Sequence, residues 1–302
     1  MTATEAVTNS GAGAQWMQRI VGVVVPYEIQ RRQNLTDPFM LAIVGALADA
    51  LTERGYEMLL LRVDTENLES IEDAVRIGKA IGILLIGQWN RHALLNELAD
   101  RHLPFVVWGG RMPDQRYCTV GSDNVLGGLL ATRHLLTLGR RRIAFLGDTA
   151  LPEVALRHEG YRRAHEAVGL NPDPGLCIAV DFTARQTEAA ARELAQRRPQ
   201  PDAMFACSDL LATSAITALY DLGVSVPDDI SVVGYDDMPL AAHYFPPLTT
   251  VRQPLAEAAR VMVDRLLTMR EGGKAESVVL PTELVIRETT GPAAFGSREP
   301  NG

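Results

Sequence analysis

The sequence has 302 residues, 47% of them hydrophobic, so the chain can bury a large core and is long enough for two domains. Its 37 acidic residues outnumber 29 Lys and Arg, and the formal net charge of -8 has the wrong sign for a surface that neutralises nucleic-acid phosphates by itself. No apolar stretch reaches the roughly 20 residues of a membrane span, and the N-terminal segment does not resemble a signal peptide. We therefore expect a cytoplasmic protein without a membrane anchor.

Short apolar segments alternate with amphipathic ones along the first half of the chain. Residues 20–25 form a continuous apolar run, typical of a strand buried on both faces. Asp37 and Pro38 then supply an N-cap and a first-turn proline for a helix that ends at Gly55. The same alternation predicts strands at 58–61, 81–86 and 105–108 and helices at 71–79, 90–101 and 123–139.

A second series follows, with predicted strands at 143–146, 178–180, 204–206 and 230–235 and helices at 157–168, 183–197 and 210–222. Short strands alternating with longer helices imply parallel sheets covered on both faces. The fold prediction is therefore α/β, with two doubly wound parallel sheets. A short strand at 249–252, a helix at 254–270 and an apolar run at 278–286 come after both series.

Residues 230–253 read ISVVGYDDMPLAAHYFPPLTTVRQ, an apolar strand followed by two carboxylates, a proline corner and a second strand. With VPDD before it, this stretch closely resembles the signature of the lactose-repressor/galactose-repressor family of sugar-responsive transcription regulators. The resemblance extends from Ile20 to Thr290 and implies two subdomains of the periplasmic binding protein type I kind, joined by a three-strand hinge. A cleft between subdomains joined in this way can open and close around a ligand.

The resemblance also sets the expected domain boundaries. We expect an N-terminal subdomain of residues 20–139 plus 253–280 and a C-terminal subdomain of residues 140–252 plus 281–292. Residues 1–19 and 293–302 are expected to be disordered tails, because small and polar residues cannot bury a core.

Ligands of open parallel sheets bind beyond the carboxyl ends of the strands, so the residues after each strand are the candidates for a site. Arg157 stands where the family's Arg-x-x-Gly-aromatic motif places the arginine that grips the effector, and its planar fork of donors suits two neighbouring hydroxyls. Asp236, at a strand tip, can accept hydrogen bonds from two hydroxyls, and we expect it to pair with Arg157 or with a ligand. The predicted ligand-binding residues are Tyr27, Phe39, Trp89, Asp123, Arg157, Phe182, Ser208, Asp236 and Gln253.

Several of these residues also have structural explanations. Asp123 and Ser208 can simply cap helices, and Ser208 departs from the Asn that the family often carries there. The aromatic candidates Phe39, Trp89 and Phe182 can be core residues, Arg157 a solvated arginine and Gln253 a surface glutamine. For the neighbouring acids, the expected roles are helix capping for Asp37 and Asp209 and a turn for Asp237.

Motifs of enzymes and cofactor sites are missing from the sequence. It contains no G-x-G-x-x-G after a strand, no G-x-x-x-x-G-K-[ST], no H-E-x-x-H and no G-x-S-x-G. The six histidines are scattered, and Cys118, Cys177 and Cys207 lack metal-ligand spacing and resemble small buried hydrophobes. We therefore predict no catalysis, no cofactor and no metal.

The functional expectation is the effector-binding and dimerisation core of a sugar-responsive regulator. A saccharide in the inter-subdomain cleft would shift a homodimer between states that do and do not bind DNA. Operator DNA would be bound only through the family's helix-turn-helix, which we do not recognise before Ile20; the first 60 residues carry just four basic side chains. The alternative is a free-standing or transport-type sugar-binding protein. Because the family spans mono- and disaccharides and purines, the particular effector and the sign of its effect stay open.

Overall fold

The computed structural model describes residues 19–27 and 35–293, so the predicted tails lie outside the described residues except for Arg19 and Ala293. The chain forms two compact units. Within the described ranges, the first unit comprises 19–27, Ile43–Val120 and Leu255–Val278, and the second comprises 35–42, Gly121–Pro254 and 279–293. Beyond residue 43 the chain thus crosses between the units three times, after Val120, after Pro254 and after Val278.

One six-stranded sheet lies mainly in the first unit, although the ends of two of its strands are assigned to the second; its strands are numbered here in chain order. They are β1 (Ile20–Tyr27), β2 (Glu57–Asp64), β3 (Ile83–Ile86), β4 (Phe105–Trp108), β5 (Cys118–Ser122) and β11 (Val278–Leu280). Their order across the sheet is β11-β5-β4-β3-β1-β2, and β1 to β5 pair in parallel. Every residue of β3 and β4 is buried, as expected for central parallel strands. The helices are α1 (Pro38–Glu53), α2 (Ile71–Arg76), α3 (His92–Asp100) and α8 (Leu255–Arg270), with a 3-10 turn at Thr65–Ser70.

The second unit contains the other six-stranded sheet. Its strands are β6 (Ile143–Leu146), β7 (Cys177–Ile178), β8 (Ala203–Ala206), β9 (Ser231–Asp236), β10 (Thr249–Arg252) and β12 (Glu283–Val285). The order is β12-β10-β9-β8-β6-β7, and only β12 runs antiparallel to its neighbour. Its main helices are α4 (Asn124–Thr137), α5 (Pro152–Glu166), α6 (Ala184–Gln196) and α7 (Asp209–Asp221). Two doubly wound sheets of this kind confirm the predicted fold class.

Some predicted elements were wrong. Strand β5 was not predicted, because its CTVGS sequence contains Gly and Ser, which are poor strand formers, although all five residues are buried. The apolar run 278–286 contains two strands, β11 and β12, which lie on either side of Pro281 and belong to different sheets. Tyr27 is the last residue of β1 rather than a residue after it, and the strand predicted at 178–180 is only Cys177–Ile178.

Within the described ranges, no helix combines the length and the apolar character that crossing a membrane requires.

Candidate functional site

Helices α4 and α5 of the second unit pack backbone against backbone through glycines. A Cβ on Gly128 would overlap the carbonyl oxygen of Arg157, and one on Gly160 would overlap that of Val125. Asp123 caps α4 by accepting a hydrogen bond from the Leu126 backbone N–H at 2.9 Å. This close approach brings Asn124, the first residue of α4, beside Arg157 on α5.

Arg157 is buried, and three neighbours hold its guanidinium. Its Nε donates to Asn124 Oδ1 at 2.8 Å, and its Nη1 donates to the carbonyl oxygen of Cys207, just beyond β8. The guanidinium lies over the Tyr235 ring, 3.8 Å from the ring centroid, and Tyr235 in turn donates its hydroxyl to Asn124 Oδ1 at 3.3 Å. Within the described residues, Nη2 makes no hydrogen bond. The guanidinium is therefore fixed in orientation and keeps one amine for a ligand.

Asp236 ends β9 with a φ of 121°, a backbone conformation that residues other than glycine rarely adopt. Its Oδ1 accepts a hydrogen bond from Gln253 Nε2 at 2.7 Å. Burial raises the pKa of Asp236 well above its usual range, and the nearby charge of Arg157 partly opposes that rise. In the described part of the chain, neither Asp236 Oδ2 nor the buried Gln253 Oε1 has a hydrogen-bond partner. The Asp236 carboxylate thus lies within electrostatic range of the guanidinium, and two acceptor atoms at this edge of the sheet are unused.

The loop after β9 is held by two more carboxylates. Asp209, on the first turn of α7, accepts hydrogen bonds from the Met238 backbone N–H at 2.8 Å and from the Thr250 hydroxyl. Asp237 forms ion pairs with Arg252 at 2.7 Å and with Arg287 at 2.6 Å. The expected capping role of Asp209 was wrong, because Ser208 caps α7. Asp237 does more than form a turn, because its ion pairs join the end of β9 to the segments around β10 and β12.

The predicted site residues have different surroundings. Arg157, Asp236 and Gln253 lie in the cluster just described, whereas Asp123 and Ser208 are helix caps next to it. Asp236 is paired by hydrogen bond with Gln253, rather than with Arg157.

The aromatic candidates have other contacts. Phe182 is half-buried against the core of the second unit. Phe39 is half-buried on the first turn of α1, which Asp37 caps through the Phe39 and Met40 amides. In the first unit, Tyr27 has the Arg62 guanidinium 5.2 Å from its ring centroid, and Trp89 is buried and donates Nε1–H to the Ile86 carbonyl oxygen at 2.7 Å.

Three residues of the cluster were not among the predicted ligand-binding residues. Asn124 and Tyr235 position the guanidinium, and Asp209 supports the loop that carries Asp236. Asn124 directly follows the predicted cap Asp123, and Tyr235 directly precedes Asp236, so adjacency to a candidate was the available indication. Neither residue's role follows from spacing alone, because both depend on how α4 and α5 pack.

No group of three or more His, Cys, Asp or Glu side chains in the described ranges is arranged to hold a metal ion. Cys118 and Cys207 are buried, and burial raises the pKa of these thiols to about 11 and about 12, so they are protonated at neutral pH. Cys177 is only half-buried, which makes it less enclosed than the sequence suggested.

Two doubly wound units linked by three chain crossings, with a buried arginine and aspartate at the carboxyl edge of one sheet, define a ligand-binding protein of the periplasmic-binding-protein-like class. Residues 132–290 match the family described as the periplasmic binding protein-like domain.

Comparison with known proteins shows which family within this class the chain belongs to. The HTH-type transcriptional regulator CelR of Thermobifida fusca is 34% identical over 295 residues, which cover 94% of this chain and 85% of CelR. The solved structure of a transcriptional regulator CelR–cellobiose complex matches with a TM-score of 0.80 and 33% identity, covering 90% of this chain and 84% of that one. A LacI family transcriptional regulator from Enterococcus faecium with bound ribose matches with a TM-score of 0.78 and 27% identity, covering 91% and 100%. The chain belongs to the lactose-repressor/galactose-repressor family of transcription regulators, and it contains that family's effector-binding core.

Proposed function

We propose that the chain binds a saccharide effector through Arg157, Asp236 and Gln253 at the carboxyl edge of the second sheet. The observation that carries this proposal is the set of unused polar atoms there: the donor Arg157 Nη2 and the acceptors Asp236 Oδ2 and Gln253 Oε1. Sugar hydroxyls both donate and accept, so neighbouring hydroxyls satisfy such a set. The cellobiose and ribose in the related complexes support a saccharide over a purine.

The proposed regulation starts from the hydrogen bond between Asp236 and Gln253. Gln253 is followed by Pro254, after which the chain crosses into the first unit. A ligand hydroxyl that binds Asp236 changes the hydrogen-bond partners available to Gln253. Effector binding therefore alters contacts next to the point where the chain crosses into the first unit. A ligand that binds one arrangement better than another shifts the population between them. We propose that this shift controls operator binding in the cytoplasm, with DNA contacted through the family's helix-turn-helix.

We also propose that the chain forms a homodimer. The second unit has a groove of about 560 Å³ whose lining includes Ile216, Tyr220, Val224, Tyr244 and Phe245. Tyr220 and Phe245 are 81% and 91% exposed, which is unusual for large aromatic side chains in a monomer. A second copy of the same surface would bury both rings in an isologous interface.

A thermal-shift screen of mono- and disaccharides, with cellobiose, ribose and purine bases included, tests the ligand class. Calorimetry on Arg157→Ala and Asp236→Ala then tests the site with the saccharide that stabilises the chain most. Hydrogen bonds to charged groups contribute roughly 1.5–3 kcal/mol, so each change should weaken binding by about tenfold to a hundredfold or more.

Arg163→Ala is the matched control, because Arg163 lies on the same helix, is exposed and pairs only with Glu159 among the described residues. The saccharide affinity of the Arg163→Ala variant should equal that of the wild type. Stabilisation by purine bases but by no saccharide would contradict the ligand class. Wild-type affinity in both site variants, with normal melting, would contradict the site.

A further inference from the structure

One carboxyl group holds together the loop that carries Asp236. Asp209, the first residue of α7, is buried; its Oδ2 accepts a hydrogen bond from the Met238 backbone N–H at 2.8 Å, and its Oδ1 is hydrogen-bonded to the hydroxyl of Thr250 on β10. A Cβ added to Gly234 of β9 would lie 2.5 Å from Asp209 Oδ1. The carboxyl group therefore contacts β9 just before Asp236, the loop just after it, and the neighbouring strand.

Among the described residues, no cation pairs directly with Asp209. Its hydrogen-bond partners are uncharged, and it forms no salt bridge within the described ranges. Two charged groups act on it from the neighbouring segments: Arg287 and Asp237, which form an ion pair at 2.6 Å and whose effects on Asp209 have opposite signs. A buried carboxylate without a paired cation is costly, so we expect the group to hold a proton. In agreement, burial raises the pKa of Asp209 to about 7.

The hydrogen bonds around Asp209 fit the neutral acid. A protonated carboxyl group has an O–H donor on one oxygen and an acceptor on the other. Oδ2 must be the acceptor, because the Met238 N–H can only donate, and so the proton belongs on Oδ1. There it faces the Thr250 hydroxyl, which can accept a hydrogen bond as well as donate one. The neutral acid therefore makes both hydrogen bonds without placing a charge in the core.

We infer that Asp209 is a positioning residue for Asp236 and that it acts in its protonated form, so that loss of this proton weakens effector binding. The inference rests on the proposed function, because the affinity concerned is that of the Arg157–Asp236 site.

A charge on Asp209 would affect Asp236 in two ways. The two carboxyl groups lie within electrostatic range, and the other groups that act on the Asp236 carboxyl are Arg157, Asp37 and Gln253. A negative Asp209 would favour the protonated form of Asp236, which is a weaker acceptor for a sugar hydroxyl. It would also favour entry of water beside the loop, where the Asp236 backbone holds a φ of 121°. Both effects lower the affinity as pH rises through about 7.

The pH profile of sugar affinity tests the inference on the intact chain. Calorimetry with cellobiose and with ribose, the sugars of the related complexes, covers about pH 6 to about pH 8.5, a range that includes the ionisation of Asp209. The wild-type affinity should fall at least about threefold across this range, and by no more than about tenfold per pH unit, because one proton is involved.

Asp209→Asn separates the proton from the hydrogen bonds. The amide oxygen of asparagine accepts the Met238 N–H and its amide group donates to Thr250, which is the pattern of the neutral acid. The variant should bind like the wild type at about pH 6 and lose the fall in affinity above pH 7. Asp221→Asn, at the exposed end of the same helix, is the control and should keep the wild-type profile.

Thr250→Val moves the profile in a known direction. The Thr250 hydroxyl stabilises the ionised form of Asp209, so its loss should shift the fall in affinity to higher pH. Infrared difference spectra between about pH 6 and about pH 8.5 add a measurement that needs no sugar. The wild type should lose a protonated carboxyl signal that Asp209→Asn does not lose, and melting curves show that each variant is folded.

A flat wild-type profile, or an Asp209→Asn profile as steep as that of the wild type, would overturn the inference and leave the proposed saccharide function intact. Weaker binding of Asp209→Asn by the same factor at every pH would also overturn it, because a merely structural contact would then explain the effect. Binding of purine bases without any sugar would contradict the proposed function, and equal infrared differences in the wild type and Asp209→Asn would by themselves overturn the protonated state of Asp209.

Discussion

Asp209 is a buried acid that supports the loop carrying Asp236. Its carboxylate is buried and accepts hydrogen bonds from the Met238 amide and the Thr250 hydroxyl, which fixes the exit of β9. Burial raises the pKa of Asp209 to about 7, and the two hydrogen bonds only partly oppose this rise. The residue therefore gains its charge near neutral pH, at a place where the backbone of Asp236 and Asp237 has positive φ.

Asp209→Asn should flatten the pH dependence of stability. An acid whose pKa is higher in the folded state holds its proton more tightly there, so stability falls as pH rises from about 4 to about 7. Asparagine keeps an acceptor oxygen for the Met238 amide and cannot ionise. Between pH 5 and pH 8, the wild type should lose about 2 kcal/mol more of its free energy of unfolding than the variant.

Urea unfolding of both proteins at the two pH values measures this difference. Asp221→Asn, at the exposed end of the same helix, is the control and should follow the wild type. An equal loss of stability in the wild type and in Asp209→Asn would show that Asp209 does not titrate in this range.

At the scale of elements, the packing of α4 on α5 decides whether the guanidinium is held. Gly128→Ala should destabilise the fold, because the new Cβ would meet the Arg157 backbone, which cannot move aside like a side-chain end. Overpacking of this kind costs about 2 kcal/mol or more. Gly45→Ala is the control: Gly45 lies inside α1, and a Cβ added there would have no atom within 4 Å, so alanine should raise helix stability by up to about 1 kcal/mol.

Chemical denaturation of the two glycine variants gives both free energies of unfolding, and effector calorimetry on Gly128→Ala adds a second measurement. A shifted Arg157 backbone should also weaken effector binding. If Gly128→Ala is as stable as the wild type, the backbones of α4 and α5 are not in direct contact at this position.

The elements also show what the sequence could predict. Strands such as β3 and β4 were predictable because continuous apolar runs between helical segments mark buried parallel strands. Strand β5 was not, since pairing in the sheet overrides the weak preference of Gly and Ser. Arg157 and Asp236 became candidates through motif and position after strands. Their contacts with Asn124, Tyr235 and Gln253 were beyond prediction. These contacts and the hydrogen bond between Tyr235 and Asn124 join residues 17 to 111 positions apart.

At the scale of the whole molecule, a buried arginine joins three separate segments of the second unit, which include residues 291 and 292. Arg140 is 2% exposed, and its guanidinium donates to the carbonyl oxygens of Pro227 at 2.7 Å, Gly291 at 3.1 Å and Pro292 at 3.0 Å. Its further partners are the carbonyl oxygens of Asp202, Asp228 and Asp229. Pro227, one of these partners, follows Val226, which lines the groove proposed as the dimer interface.

The proposed homodimer is tested by light scattering at micromolar concentration. The wild type should have twice the chain mass of 32.9 kDa. Phe245→Asp, alone or with Tyr220→Asp, should give monomers, because a charge in a buried interface has no partner there. Val168→Asp is the control, since Val168 is 52% exposed on the same unit and outside the groove, and it should remain dimeric. Melting curves show that each variant is folded. A monomeric wild type, or a double variant that stays dimeric, would contradict an interface at this groove.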